Sequence, residues 1–201
     1  LYLLKGDMKA YDGEKNYSMK PGDYCIARKN HLVRYTKYKD NDEFEKIIIT
    51  LDEEFLKRFL ERHVYEIRPS AIGDAFIFIP ENKLIKNFIT SLEPYYTGDL
   101  EISADFVDVK REELLIILLK SNPDLIHILF NFSLPDRINL KEYMNKNFRF
   151  NISLEKFAFF TGRSLSTFKR DFQRIFGMAP GTWHKKKRLQ EAYFQIAEQS
   201  R

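Results

Sequence analysis

The sequence predicts an α+β protein, strand-rich at its N-terminal end and all-helical at its C-terminal end. Three observations carry this. Short apolar runs broken by turn-forming residues occupy roughly the first fifty positions. Apolar side chains then adopt helical spacing for most of the remainder. Charge is also uneven: residues 138–201 hold 13 Lys and Arg against 5 Asp and Glu, a net of +8, while residues 1–137 hold 20 against 24, a net of −4. A basic segment on a mildly acidic body places any polyanion partner at the C-terminal part. A solvated basic face is the plainer reading, and the position of the excess, described below, decides between them.

Strands are expected at residues 1–4, 8–11, 24–27, 32–38 and 44–51. They are separated by Asp12-Gly13, Pro21-Gly22-Asp23 and Asp40-Asn41-Asp42. Short strands with frequent turns suggest a barrel or a two-sheet roll. Asp52 is placed to cap a helix over residues 53–63, with Phe55, Phe59 and Leu60 on one face. Two longer helices follow. In residues 81–96, Leu84, Ile85, Phe88, Ile89 and Leu92 keep helical spacing; in residues 104–120, the run REELLIILLK is apolar around most of its circumference. A helix of the second kind must be buried, in its own core or against a partner, and periodicity does not separate the two. A short helix runs from Pro123-Asp124 to about Phe132.

Residues 133–137, with Pro135, form a polar break and the expected boundary between domains at 1–132 and 133–201. Beyond it, Asn139 and Glu142 make a capping-box pair for a helix carrying Leu140, Tyr143, Met144 and Phe148. Ser153 caps the next, in which Leu154, Phe157 and Ala158 face inward. Ser164 caps the third, with Leu165, Phe168 and Phe172 at i, i+3 and i+7. Gly177 suits a left-handed helix stop and Pro180 the first turn of a following helix. Trp183, Leu189, Tyr193 and Ile196 on that last helix are expected to pack against the preceding ones.

Two short amphipathic helices joined by a tight turn at Thr161-Gly162-Arg163 form a helix-turn-helix, whose second helix reads the DNA major groove. Its outer face carries Ser166, Thr167, Lys169, Arg170, Gln173 and Arg174. Arg bonds a guanine edge with two parallel hydrogen bonds and Gln does the same with adenine. The free amides near Ser164 favour a phosphate, and Lys185, in the basic run Lys185 to Arg188, is expected at the backbone. The basic excess falls on these helices, so double-stranded DNA is the expected partner.

Other function classes find little support. The four histidines, His31, His63, His127 and His184, are scattered, whereas metal catalysis needs them clustered with a carboxylate. There is no nucleophile-elbow sequence, phosphate-binding glycine loop or helical His-Glu-x-x-His, so no catalytic residue, metal or cofactor is expected. Phe76, Phe78 and the other aromatics line an effector pocket or, by default, the core, and no effector-binding residue is assigned. Cys25 reads as a buried core thiol. As the single cysteine it excludes an internal disulfide and fits a reducing cytosol. No apolar run reaches membrane-spanning length, and no signal-peptide pattern opens the chain. The chain starts at Leu1 without methionine and stops just beyond an amphipathic helix, so it reads as a fragment of a longer protein.

The residues Ser153-Leu154-Glu155, Phe157-Ala158, Gly162-Arg163-Ser164, Phe168-Lys169-Arg170-Asp171-Phe172 and Phe176-Gly177-Met178-Ala179-Pro180 resemble the AraC/XylS family of bacterial transcription regulators. Arg188-Leu189 and Ala192 fit as well, and the likeness covers about residues 138–196. More weakly, the N-terminal part resembles the cupin-like barrel and helical dimerisation layer of that family, with Met19-Lys20-Pro21-Gly22-Asp23 in a turn-to-strand motif. The resemblance implies a cytoplasmic homodimer whose N-terminal domain senses a small-molecule effector or a regulatory protein. It assigns base reading to Ser166, Lys169 and Arg170. Such regulators carry two helix-turn-helix units joined by a long helix, and here the first unit and that helix are present. The competing reading is a non-catalytic sensor or interaction module in which the helix-turn-helix only packs and its basic face is covered by protein.

Overall fold

The computed structural model describes residues 1–68, 73–96 and 103–199. Its elements run β1 (Tyr2–Lys5), β2 (Asp7–Tyr11), β3 (Asn16–Met19), β4 (Cys25–Ala27), β5 (Arg34–Tyr38), β6 (Glu45–Ile47), α1 (Glu53–Arg62) and β7 (Phe76–Phe78). They continue as α2 (Lys83–Ser91), α3 (Glu93–Tyr96), α4 (Ala104–Ser121), α5 (Leu125–Leu129), α6 (Leu140–Asn147), α7 (Leu154–Phe160), α8 (Leu165–Phe176) and α9 (Pro180–Gln199). The α+β class stands: small sheets come first and a helical part last.

The strands form three small sheets, β1-β6, β3-β2-β5 and β4-β7. In β2, Met8 and Ala10 are buried while Asp7 and Lys9 are exposed, the period-two pattern of a half-buried strand. Beside β1, the Leu3 amide donates to Asp23 and the Cys25 amide to Leu1, at 3.1 and 2.9 Å. The expected cupin-like barrel is corrected in one respect: among the described residues the sheets do not close. Strands of three to five residues offer too few ladder bonds to carry pairing around a full circuit, and the β1-β6 register shifts between Leu3 and Lys5. Two strands escaped the sequence reading. β3 is short and polar, and β7 is a three-residue apolar run that periodicity cannot assign.

The chain divides into two compact units. The first comprises Leu1–Met8, Met19–Arg28 and Lys37–Phe132. Its core joins Phe55 and Phe59 of α1, Ile85, Phe88 and Ile89 of α2, and Leu115, Leu118 and Leu119 of α4. Leu114, Ile116 and Ile117 also pack against it, so the apolar circumference of α4 meets this chain's own core. The N-terminal half of α4 is fixed to α1 by charge: Arg58 pairs with Asp108 and Arg62 with Glu112, both at 2.8 Å, and Arg111 with the cap residue Asp52. The single helix expected over residues 81–96 is two. Pro94 has no amide to continue the ladder, and α2 ends at Ser91 with Leu92 as its C-cap.

The second unit comprises Lys9–Ser18, Lys29–Thr36 and Ser133–Arg201. Leu140, Met144, Phe157, Ala158, Phe168, Phe172 and Trp183 form its core, with Leu32 against it. The N-terminal stretches also dock through polar contacts. Glu14 pairs with Lys146 of α6, and the Arg34 guanidinium donates to the Arg149 carbonyl at 3.3 Å. Asp12 shapes the turn ahead of β3 by accepting the Glu14 and Lys15 amides at 2.9 and 2.8 Å.

Candidate nucleic-acid interface

Both helices of the predicted helix-turn-helix begin at a serine cap. The Ser153 hydroxyl accepts the Lys156 amide at 3.4 Å, and the Ser164 hydroxyl accepts the Thr167 amide at 3.3 Å. The turn between α7 and α8 is a Schellman stop. The Gly162 amide donates to Phe159 and the Arg163 amide to Ala158, at 3.0 and 2.9 Å, with Gly162 at φ +65°. A side chain is excluded there on two counts, since a Cβ would also lie 2.6 Å from the Asp136 carbonyl. Thr161 is fully buried, and its hydroxyl donates to the Phe157 and Ala158 carbonyls. Gly177 (φ +68°) ends α8.

One face of α8 turns inward. Phe168 and Phe172 are fully buried, and Phe172 packs on Phe176 and on Trp183 of α9, with ring centroids at 4.3 and 5.4 Å. On the opposite face Ser166, Lys169, Arg170, Gln173 and Arg174 are exposed. Thr167 is half-buried, and its hydroxyl accepts a bond from Ser164 at 2.9 Å, which draws it into the cap. Ser164 and Ser166 stand 3.1 Å apart through their hydroxyls. Within the basic run of α9, Lys185 and Lys186 are exposed, Lys187 lies over the Trp183 ring at 5.8 Å, and Arg188 donates to Asn151 at 3.1 Å. The packing expected of α9 holds for Trp183 alone of the four residues named. Leu189, Tyr193 and Ile196 are exposed, because the helix runs on past the residues that cover its first turns.

Four guanidinium groups converge on Asp171, to which the sequence motif assigns no role. Arg137 donates to Oδ2 at 2.6 Å and Arg163 at 3.2 Å. Arg174 and Arg170 stand 3.5 and 3.9 Å from Oδ1. These cations, the Arg137 bond first, hold the Asp171 carboxyl below the usual aspartate range. A carboxylate between Phe168 and Phe172 on an inward helix face is itself the sequence signal for a paired charge. The two partners of Oδ2 were out of reach of local pattern, since Arg163 and Arg137 lie 8 and 34 positions away.

A capped second helix with an exposed basic face, set on a packed first helix, is the helix-turn-helix arrangement. The chain belongs to the ExsA N-terminal regulatory domain family, matched over residues 1–128, and the relatives it aligns with are transcriptional regulators. It is 25% identical over 197 residues to the HTH-type transcriptional regulator ExsA of Pseudomonas aeruginosa, an alignment covering 95% of this chain and 69% of that protein. It is likewise 25% identical over 201 residues to the virulence regulon transcriptional activator VirF of Yersinia enterocolitica, covering 95% and 72%. The thermoregulatory protein LcrF of Yersinia pestis matches at the same identity and coverage. Among the described residues no helix is long and apolar enough to cross a membrane, and no three His, Cys, Asp or Glu side chains gather as a metal site.

Proposed function

We propose that the chain is a sequence-specific DNA-binding regulator that lays α8 in the major groove. Ser166, Thr167, Lys169, Arg170, Gln173 and Arg174 form the reading face, with Ser164 and Lys185 at phosphates. The observation that carries this is the exposure of a polar, basic helix face opposite a fully buried apolar one, on the second helix of a helix-turn-helix. Arg170 and Gln173 supply base-specific hydrogen bonds, and the lysines contribute salt-dependent affinity without sequence information. In this reading residues 133–201 are the DNA-binding subdomain. Residues 1–132 are the counterpart of the cupin-like domain and its helical layer, sensing a small-molecule effector or a regulatory protein and forming a homodimer in the cytoplasm. No catalytic step is assigned to any residue. The relatives named as transcriptional regulators and activators support the same reading.

The test is selection of duplexes from a genomic library, followed by Arg170→Ala on the enriched sequence. A loss of about 1–3 kcal/mol, confined to the specific duplex and accompanied by an unchanged fold, is expected. Equal affinity of the two proteins across salt concentrations would remove Arg170 from the reading face. Absence of any enriched sequence favours the interaction-module reading instead.

A further inference from the structure

The exposed arginines of α8 do not stand alone. Their side chains are 77% and 75% exposed at Arg170 and Arg174, yet both point back to a carboxylate whose side chain is only 5% exposed. The other oxygen of that carboxylate is held from below. Arg163, 7% exposed, bonds it through Nε and uses Nη1 to donate to the Ile138 and Thr161 carbonyls at 3.0 and 2.6 Å. This guanidinium therefore ties α8 to the turn and to the segment ahead of α6. Arg137, from that same segment, makes the shortest bond to Asp171.

We infer that Asp171 is a positioning residue of the reading face: clamped on Oδ2 by Arg137 and Arg163, it aims Arg170 and Arg174 from Oδ1. The inference rests on the DNA-reading proposal above. Well-packed hydrophobic residues in place of a buried ion pair are often as stable or more so, so stability alone does not account for the choice of a carboxylate here. Orientation does. A bidentate guanine contact needs the planar fork of Arg170 presented at a defined angle, and side chains that reach bases are accurate only when other groups hold them. Without Asp171, four like charges crowd one spot and the exposed pair splays into solvent. Removing the carboxylate also removes a negative charge from behind the basic face, so sequence-independent binding should hold or rise while base preference falls.

The experiment compares the 201-residue wild type with Asp171→Asn, which keeps the side-chain shape, and with Arg137→Ala, which removes an exposed partner. Each is titrated with the library-enriched duplex and with a scrambled duplex of equal length, and folding is checked by circular dichroism and thermal melting. Asp171→Asn is expected to lower the specific-to-scrambled affinity ratio about tenfold, through loss of specific binding alone. Arg137→Ala should lower it in the same direction by less. A merely structural role would weaken both duplexes together, and that pattern, or an unchanged ratio, overturns the inference. If Asp171→Asn fails to fold, Arg137→Ala decides by the same criterion. Should the wild type show no preference, the DNA-reading proposal falls and this inference with it; should Arg170→Ala leave the preference intact, Arg170 leaves the reading face and this inference falls; preference lost in Arg170→Ala but kept in Asp171→Asn removes the inference alone.

Discussion

Helices α8 and α9 are neighbours, both basic and both dotted with large apolar side chains, yet they differ in how they are covered. In α8, Phe168 and Phe172 are fully buried and the polar residues fill the opposite face. In α9, Trp183 is buried by Phe172, Phe176 and Phe148, but Leu189, Tyr193 and Phe194 further along are 62%, 75% and 67% exposed. Apolar spacing marks the face a helix would bury, and a neighbour is needed before that face is buried. α8 has α6, α7 and α9 around it, whereas the apolar core that α9 joins reaches it at Trp183.

This contrast can be tested by substitution. Phe172→Ala empties the centre of the second core and should cost about 3–5 kcal/mol in a denaturant titration. A cost below about 1 kcal/mol would mean that α8 is not held as described. The charged part of the same inner face answers to pH. Asp171 is depressed in the folded chain, so its contribution is complete above the ordinary aspartate pKa and is lost as pH falls through the folded value. Acid melting of wild type should therefore steepen below about pH 4, while Asp171→Asn loses that part of the slope. Next in size is Gly162→Ala, where the left-handed backbone alone costs about 1–2 kcal/mol and contact with the Asp136 backbone adds to it. Ser164→Ala removes the α8 cap and should cost about 1 kcal/mol, read by the same titration. Smallest is Tyr193→Ser on α9, expected within about 0.5 kcal/mol. A cost above about 2 kcal/mol there would show that the exposed half of α9 is covered in solution, and the contrast with α8 would vanish.

The frame of the candidate interface could be read directly from residue order. Ser153, Ser164 and Asn139 cap the helices they were expected to cap, Gly162 makes the turn, and Gly177 stops α8. Caps, turns and amphipathic faces arise between residues one to four positions apart, so their chemistry is present in any short window of chain. The Pro94 break belongs to the same class and was legible, though the single-helix reading ran through it. Pairing is another matter. β7 exists because Phe76, Ile77 and Phe78 meet Ala27, Ile26 and Cys25 some fifty positions back, and the sheets stay open because such short ladders do not close. The Asp171 cluster also joins positions 137, 163 and 171 through space, and exposure on α9 depends on which neighbours fold back to it. Contacts of that range have no local signature; burial and desolvation select them only once the whole chain has packed.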